Sequence, residues 1–253
     1  MKKNPVIGVY GLGRFGSFWA SRLSGYFNVA GWSRNVSRPV PEGVRRVSEE
    51  ELLHSDVIIL CVAISEIENV LKRIAPEIPE NTLVMDTCSV KVHPAQAMLK
   101  ILPENIKLLA THPMFGPDSG KNGLNGLPLV FSPLRIDKET ENFWRENFIH
   151  MGLKVVEMTP DEHDREAAFT QGVTHFIGRV LGEMNLDTSR IATTGYLDLL
   201  DIIRQTCNDP WQLFVDLQKY NPYTANMRSE LHKAIKTMLE KFDSIKLSEG
   251  NNG

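Results

Sequence analysis

Three glycines near the start of the chain have the spacing of a phosphate-binding loop. They lie in the segment Gly11-Leu12-Gly13-Arg14-Phe15-Gly16, which reads G-x-G-x-x-G. The first glycine permits a tight turn, the second lets the backbone approach a pyrophosphate, and the third lets a helix pack on a strand. An apolar run precedes the segment and a helical pattern follows it, which predicts a dinucleotide site. A glycine-rich turn without a ligand is the alternative.

Ser33 and Arg34 stand where a dinucleotide-binding sheet meets the adenosine ribose. They follow the first glycine by about 20 residues, a position at which NAD-binding enzymes usually carry an acidic residue. A carboxylate would repel the 2′-phosphate of NADP, whereas a guanidinium can bind it through two hydrogen bonds and a serine hydroxyl can donate another. We therefore predict NADP as the cofactor, with NAD as the alternative. Arg34 as an ordinary solvated loop cation is the competing interpretation.

A second candidate for chemistry is His112, in the segment Thr111–Gly120. An imidazole has an ordinary pKa of about 6.5, so it can accept a proton near neutral pH. The segment follows an apolar run and is expected to be a loop at the edge where open α/β sheets hold their ligands. From this position alone, a hydrogen-bonded structural histidine is the more common case.

The elements that must position these residues alternate between short apolar runs and helical patterns. Apolar runs of this length are typical of strands buried on both faces, and they predict a parallel, Rossmann-like sheet. A helix from about Lys138 to Met151 is expected between the last two strands. The predicted strands are Val6–Tyr10, Asn28–Trp32, Val57–Val62, Thr82–Asp86, Lys107–Ala110, Pro128–Phe131 and Leu153–Glu157.

Strand patterns end after Val156, and the rest of the chain is predicted to be helical. The segment Thr159–Glu162 combines an N-cap residue, a proline at the first helical position and a capping-box glutamate. Asp209-Pro210 and Asn221-Pro222 indicate later helix starts, and the polar residues 248–253 are expected to form a tail. The fold class is therefore α/β, with a dinucleotide-binding domain over residues 1–157 and an all-helical domain over residues 158–253.

Composition and charge exclude several classes of partner. The formal net charge is −3 and the basic residues are scattered, which disfavours nucleic acid as a partner. No apolar run approaches the roughly 20 residues that span a bilayer, and the first residues lead directly into a strand rather than a signal peptide. We therefore expect a cytoplasmic protein that does not bind a membrane. Cys61, Cys88 and Cys207 lack metal-ligand spacing, so we expect buried reduced thiols and no metal site.

Four further groups of residues form recognisable motifs, and they are His112–Gly120, Asp86–Lys91, Glu162–Asp164, and Arg204 with its spacing from Asp209-Pro210. Together they resemble the prephenate and arogenate dehydrogenase family of tyrosine biosynthesis. The first group is similar to the signature segment of the family, and the second to its Ser-Val-Lys segment. The third opens the helix that carries His175, and the fourth matches the substrate-binding arginine.

The resemblance implies an oxidative decarboxylation, in which prephenate becomes 4-hydroxyphenylpyruvate. His112 would remove the ring hydroxyl proton while a hydride passes to the nicotinamide, and loss of carbon dioxide would leave an aromatic ring. Ser89 would bind the hydroxyl or orient His112. Arg204 would hold a substrate carboxylate through both arms of its guanidinium, and His175 is a further candidate on the substrate side.

Each of these substrate-side residues has a structural alternative. Ser89 could cap a helix, Arg204 could be a surface residue paired with Asp201 or Asp209, and His175 could be a core histidine. The family often carries another histidine one turn after His175, where this chain has Gly178 and Arg179. That departure leaves the role of His175 open.

The choice of substrate follows only from the resemblance. The segment His112–Gly120 most resembles prephenate-specific members and favours prephenate, whereas the NADP signal favours arogenate as the alternative. Other two-domain dehydrogenases use a helical lysine, and no lysine in the second half is singled out for that role. A third possibility, from another functional class, is a non-catalytic protein that senses NADP.

The helical half carries more apolar positions than about 95 residues would bury alone. A helical bundle core is one explanation for them. The family resemblance implies a homodimer formed through this domain. The apolar positions recur at helical spacing, and they are Phe169, Phe176, Val180, Leu181, Met184, Leu197, Leu200, Ile203, Leu213, Phe214 and Leu217.

Overall fold

The computed structural model describes residues 4–249, and their side chains up to residue 245. The chain divides into two compact units, one ending at Asp164 and the other beginning at Arg165. The first unit contains eight strands and the helices that cover them. Its strands are β1 (Val6–Tyr10), β2 (Asn28–Trp32), β3 (Val44–Arg46), β4 (Val57–Leu60), β5 (Leu83–Asp86), β6 (Lys107–Pro113), β7 (Pro128–Arg135) and β8 (Lys154–Glu157).

The helices of the first unit lie between its strands, as the alternation of apolar runs and helical patterns predicted. Ser48 accepts a hydrogen bond from the amide of Glu51 and caps the second helix, because a serine oxygen can satisfy an amide that has no partner in the first turn. The helices are α1 (Arg14–Leu23), α2 (Glu49–Leu53), α3 (Ile67–Ile74), α4 (Val92–Ile101) and α5 (Lys138–His150).

The eight strands form one sheet in the order β3-β2-β1-β4-β5-β6-β7-β8. Strands β1 to β6 are parallel, which confirms the predicted Rossmann-like arrangement for that part. Strand β7 is antiparallel to β6, and β8 is parallel to β7, so a wholly parallel sheet was wrong. Residues 114–127 join the two strands and contain no helix, whereas parallel neighbours are usually connected through one.

Two details of the sheet were also missed. Strand β3 has only three residues, two of them arginines, so it carries no apolar pattern. Strand β6 extends three residues beyond the predicted Ala110, because β7 continues to pair with it up to Pro113. His112 therefore lies within a strand, not in the loop that we expected.

The core of the first unit fixes the position of α1. Trp19 of α1 and Trp144 and Phe148 of α5 are buried, and the Trp19 and Phe148 ring centroids lie 6.4 Å apart. Phe131 of β7 packs against Phe148 from the sheet. Burying large aromatic side chains contributes much of the stability of such a core. This packing sets the glycine-rich start of α1 at the carboxyl edge of the parallel strands.

All the regular secondary structure that the described residues form after β8 is helical, as predicted. Thr159 accepts from the amide of Glu162 at 3.2 Å, and the Glu162 carboxylate accepts from the amide of Thr159 at 2.8 Å, which confirms the capping box. The helices are α6 (Pro160–Ala167), α7 (Val173–Gly182), α8 (Thr194–Cys207), α9 (Trp211–Tyr220) and α10 (Thr224–Glu249), with a π-helical turn at Ala168–Gly172 between α6 and α7.

The last two helices begin close to Asp209-Pro210 and Asn221-Pro222, as predicted. Pro210 is the N-cap of α9, and α10 begins two residues after Pro222. Of the predicted polar tail, Ser248 and Glu249 belong to α10, and residues 250–253 lie outside the described residues. No helix within the described range is both long and apolar enough to cross a membrane.

Candidate active site

The three glycines of the loop after β1 differ in what requires them. Gly11 has a φ of +106°, and a Cβ added there would lie 2.5 Å from the carbonyl oxygen of Cys61. A Cβ at Gly16 would lie 1.9 Å from the oxygen of Gly11. At Gly13, an added Cβ would meet only the Arg38 guanidinium, at an ordinary 3.5 Å. The protein's own packing therefore explains Gly11 and Gly16 but leaves Gly13 to be explained by a ligand.

The surroundings of Gly13 fit a bound pyrophosphate. Gly13 is the N-cap of α1 and has no side chain to accept from the amides of the first helical turn. Those amides and the positive end of the helix dipole favour an anion. The Leu12 side chain is buried in the core, and Phe15 stacks on Trp19 with ring centroids 6.3 Å apart. Leu12 and Phe15 thus also hold the loop in place.

A guanidinium lies beside this loop, but it belongs to Arg38. Its Nη1 donates to the carbonyl oxygen of Leu12 at 3.1 Å. The predicted Ser33 is half-buried and Arg34 is exposed, and both precede Arg38 in the same polar connection after β2. Arg38 was not predicted as a site residue, because its contact is with a residue 26 positions earlier. It lies with Arg34 in the same stretch between Trp32 and Pro41.

His112 is buried, and it forms the first link of a hydrogen-bonded chain of side chains. Its Nδ1 lies 2.9 Å from Nε2 of His163, and Nδ1 of His163 lies 2.8 Å from Oδ1 of Asp164. Asp164 also accepts from the backbone amides of Lys91 at 2.6 Å and Val92 at 2.9 Å, at the start of α4. The three side chains therefore form a connected, buried relay that ends on a carboxylate.

The direction of these hydrogen bonds assigns the protonation of both rings. The Asp164 carboxylate can only accept, so Nδ1 of His163 carries a proton and its Nε2 accepts. Nδ1 of His112 then donates to that nitrogen, which leaves the lone pair of His112 on Nε2. A neutral imidazole with this tautomer can take up a proton at Nε2. The sequence analysis noted His163 and Asp164 only as part of a family motif and assigned neither a role.

The loop after His112 packs against the start of α1. Phe115 contacts Trp19 edge-on, with ring centroids 5.9 Å apart, and Asp118 forms an ion pair of 2.5 Å with Arg14. Strands β4 and β5 lie between β1 and β6, so the glycine-rich loop and His112 are about three strand spacings apart, roughly 14 Å. An extended dinucleotide can reach over that distance.

Ser89 is half-buried in the connection between β5 and α4. The alternative that it caps α4 is wrong, because Lys91 is the N-cap residue and Asp164 takes the first amides of that helix. Ser89 follows β5 at the same sheet edge as the end of β6, where His112 lies.

The cysteines do not supply a nucleophile to this edge. Burial raises the pKa of the Cys61 thiol to about 12 and that of Cys88 well above its ordinary value. Both therefore stay protonated at neutral pH, and all three cysteines are free thiols. Cys207 is exposed on α8, so the expectation of burial was wrong for it. Among the side chains described, no three His, Cys, Asp or Glu residues group around a possible metal position.

The two predicted substrate-side residues of the second unit differ in exposure. His175 on α7 is buried, and burial lowers its pKa, with Asp209 opposing the change, so the ring is neutral at neutral pH. Arg204 on α8 keeps 75% of its side chain exposed, and its Nη1 lies 2.7 Å from Asp201. This is one of the pairings set out as the alternative for Arg204. A substrate contact by either residue stays a prediction.

Comparison with protein families finds two matching domains. The prephenate dehydrogenase nucleotide-binding domain matches residues 40–157, and a TYRAAT1-like C-terminal domain matches residues 180–249. The chain is 36% identical over 245 residues to arogenate dehydrogenase 1, chloroplastic, of Arabidopsis thaliana, which covers 92% of this chain and 38% of that protein. Arogenate dehydrogenase 2, chloroplastic, of the same plant is 39% identical over 192 residues, covering 73% and 53%. The chain thus spans 38% and 53% of the length of these relatives.

A solved structure shares the fold over the whole chain. It is prephenate dehydrogenase from A. aeolicus in complex with hydroxyphenyl propionate and NAD+, with a TM-score of 0.68 and 16% identity. The superposition covers 100% of this chain and 99% of that one. At this level of identity, the similarity concerns the fold.

The glycine loop yields a test that separates folding from cofactor binding. We expect Gly16→Ala to lower the melting temperature markedly, because its added Cβ would overlap the oxygen of Gly11. Gly13→Ala should keep the melting temperature within a few degrees but weaken cofactor binding about tenfold or more, since the methyl group would stand where the pyrophosphate approaches. Thermal melts and fluorescence titration with NADP measure the two effects. Unchanged NADP affinity in a folded Gly13→Ala variant would contradict the assignment.

Proposed function

The chain belongs to the prephenate and arogenate dehydrogenase family, and from this premise we propose that it oxidatively decarboxylates a cyclohexadienol with NADP. The observation that carries the proposal is the buried relay from His112 through His163 to Asp164. It lies at the end of β6, on the sheet edge that also holds the glycine-rich loop. Open α/β sheets bind their ligands at this edge.

His112 is the proposed general base. Its Nε2 takes the proton of the ring hydroxyl while the carbon that bears the hydroxyl loses a hydride and becomes a carbonyl carbon. NADP, when bound, supplies the nicotinamide that accepts this hydride. The bond to the ring carboxylate then breaks and carbon dioxide leaves. The bonding electrons complete the aromatic ring, and the former carbonyl oxygen takes the proton back from His112 to become the phenol hydroxyl. A well-placed base of this kind is typically worth about 10²–10⁴ in rate.

His163 and Asp164 make proton uptake by His112 easier. A proton on Nε2 turns the His112 ring into a cation, which keeps donating through Nδ1 to His163. The Asp164 carboxylate at the other end stabilises this positive charge, because opposite charges attract strongly in a buried setting. Ser89, near the same edge, is proposed to bind the substrate hydroxyl or to orient His112.

Arogenate is the substrate that we propose first, supported by the two Arabidopsis arogenate dehydrogenases. Prephenate, the substrate expected from the sequence, is the second candidate. It is favoured by the resemblance of the segment His112–Gly120 to prephenate-specific enzymes. Arg204 is proposed to bind a carboxylate of either substrate, and His175 to contact its side chain. The cytoplasmic location stays a prediction.

Turnover by the wild-type protein and by His112→Asn tests the reaction. With NADP and arogenate or prephenate, we expect reduced nicotinamide to appear, measured by its absorbance, and kcat/KM for each substrate decides between them. His112→Asn should lose at least about 10²-fold in kcat because the base is missing, while its affinity for NADP is unchanged. His54→Asn, an exposed histidine of the same unit, is the matched control.

Two outcomes would overturn the proposed reaction. An active His112→Asn variant would remove the base from the mechanism. NADP binding without turnover of either cyclohexadienol by the wild-type protein would favour the NADP-sensing protein instead.

NADP preference is proposed from the cations after β2. Ser33 and Arg34 are the predicted ligands of the 2′-phosphate, and Arg38 joins them because its guanidinium already lies beside the glycine-rich loop. No acidic residue occupies the stretch between Trp32 and Pro41. A 2′-phosphate therefore meets attraction rather than repulsion in this stretch.

Removal of the Arg34 charge tests this preference. Arg34→Gln should weaken NADP binding about ten- to a hundredfold, because the charge-assisted hydrogen bonds of the guanidinium to the 2′-phosphate are lost, and should leave NAD binding unchanged. Arg45→Gln removes an exposed arginine that is paired with Glu51 and serves as the control. Titration calorimetry with each cofactor measures the effect. Equal or tighter binding of NAD by the wild-type protein would refute the preference.

A homodimer formed through the helical domain, residues 158–253, is proposed from an apolar face on α10. This α10 face recurs every three or four residues, so its side chains share one side of the helix. Each of them is about half exposed or more, which is costly for aliphatic and aromatic groups left in water. A second copy of the chain would cover the same face by two-fold symmetry. The face consists of Ile235, Met238, Leu239, Phe242 and Ile245.

Light scattering at micromolar concentration tests the dimer. We expect twice the chain mass for the wild-type protein and the single mass for Leu239→Glu, because a carboxylate would be buried unpaired at the interface. Ile149→Glu, at an exposed apolar residue of the first unit, should stay dimeric. A monomeric wild-type protein would count against the proposal.

A further inference from the structure

A buried ion pair between Lys91 and Asp86 lies next to the relay, and neither residue has a part in the reaction proposed above. Both side chains are fully buried, at 0% exposure. Lysine is almost never fully buried unless it is paired, because the interior does not solvate its charge. Burial of this pair therefore costs free energy, and its other hydrogen bonds show which part of the chain it holds.

The pair holds the residue that precedes the base. The Lys91 ammonium donates to the carbonyl oxygen of Thr111 at 2.5 Å as well as to Asp86. Asp86 accepts from the amide of Thr111 at 3.3 Å through its carboxylate, and from the Thr111 hydroxyl at 2.6 Å through its backbone oxygen. Three hydrogen bonds thus fix Thr111, whose neighbour in the chain is His112.

The hydrogen bonds to Thr111 take the place of backbone hydrogen bonds between β5 and β6, whose pairing ends just before this residue. The pairing of β5 with β6 stops at Asp86 and Ala110, one residue before Thr111. Beyond that point β6 has a backbone partner on the β7 side, where Thr111 pairs with Phe131. The side chains of Lys91 and Asp86 therefore do on the β5 side what backbone hydrogen bonds do on the β7 side.

Lys91 also contacts the opposite end of the relay. Its backbone amide donates to Oδ1 of Asp164 at 2.6 Å, the oxygen that His163 also contacts. One residue is therefore bonded to the carboxylate that ends the relay and to the backbone beside the base that begins it. A shift of Lys91 would move both ends.

The charge of Asp86 is balanced within the buried pair. Lys91 neutralises Asp86, and burial keeps the thiol of Cys88, whose amide donates to Asp86, in its neutral form. The negative charge of Asp86 therefore adds little to that of the Asp164 carboxylate, to which His163 is bonded.

We propose that Lys91 and Asp86 are positioning residues for His112, which fix its backbone and keep the negative charge of Asp86 from acting on the relay. The proposal rests on the proposed function, in which His112 is the base. Neither residue contacts substrate in it. The competing explanation is a pair that only stabilises the fold, and buried pairs of that kind can often be replaced by apolar side chains at little cost.

The test uses Lys91→Met, Asp86→Asn and the double variant, with kcat/KM for the better substrate measured as a function of pH. The acid limb of this profile is the range in which kcat/KM falls as the pH is lowered, because the base becomes protonated. Lys91→Met leaves Asp86 as a second anion near the rings, which favours the protonated base and should move the acid limb to higher pH by about one unit. Asp86→Asn leaves the lysine charge unpaired and should move the limb to lower pH by a similar amount. The double variant should return the limb to its wild-type position while kcat stays lower by up to about 10²-fold, because the base is less well held.

A pair that only stabilises the fold would lower the melting temperature but leave the acid limb of every folded variant in place, and that result would overturn the proposal. If Lys91→Met does not fold, Asp86→Asn and the double variant still decide the question. The ¹⁵N shifts of the His112 ring, titrated in the protein without substrate, should move in the same order as the acid limbs. This measurement needs no turnover, so a protein that binds NADP but oxidises neither substrate would refute the proposed function and leave the positioning proposal tested separately.

Discussion

The geometry of the candidate active site depends on the carboxylate of Asp164, bound at the start of α4. Two backbone amides and one imidazole nitrogen donate to it, and the side chains of Asp164, His163 and Lys91 are buried. The amides at a helix start have no partner within the helix, so an anion from elsewhere in the chain is stabilised there. With Asp164 fixed in this way, His163 is held in an orientation that reaches both Asp164 and His112. The tautomer of His112, the proposed base, follows from that orientation.

The change of direction between β6 and β7 gives His112, the proposed base, a rigid support. A loop histidine would sample many orientations, whereas His112 is held in a strand that pairs with β7 through Pro113. The connection from β6 to β7 then covers the start of α1, where Phe115 packs on Trp19 and Asp118 pairs with Arg14. Base and phosphate-binding loop are therefore linked by one short stretch of chain. Catalytic sites built on regular elements hold their geometry more precisely than sites built on loops.

Some residues of the first unit are required by the packing of the backbone, and others are explained by the proposed ligand. Gly11 and Gly16 are needed by the backbone itself, since any side chain would meet carbonyl oxygens. Gly13 and Arg34 are not needed in that way, and the proposed NADP site is the reason that we give for them. Lys91 belongs to neither group, because it contacts no proposed ligand and yet joins both ends of the relay.

The sequence by itself determined the βα alternation, the glycine loop, the capping box at Thr159 and the helical second half, because these depend on neighbours within a few residues. It also singled out His112 by type and motif, although it placed that residue in a loop. The tertiary structure alone decided the direction of β7, the contact of Arg38 with Leu12 and the relay. His163 lies 51 residues from His112, and Asp164 lies 73 residues from Lys91. No local pattern encodes contacts over such separations, since they exist only when the sheet and α6 have brought distant segments together.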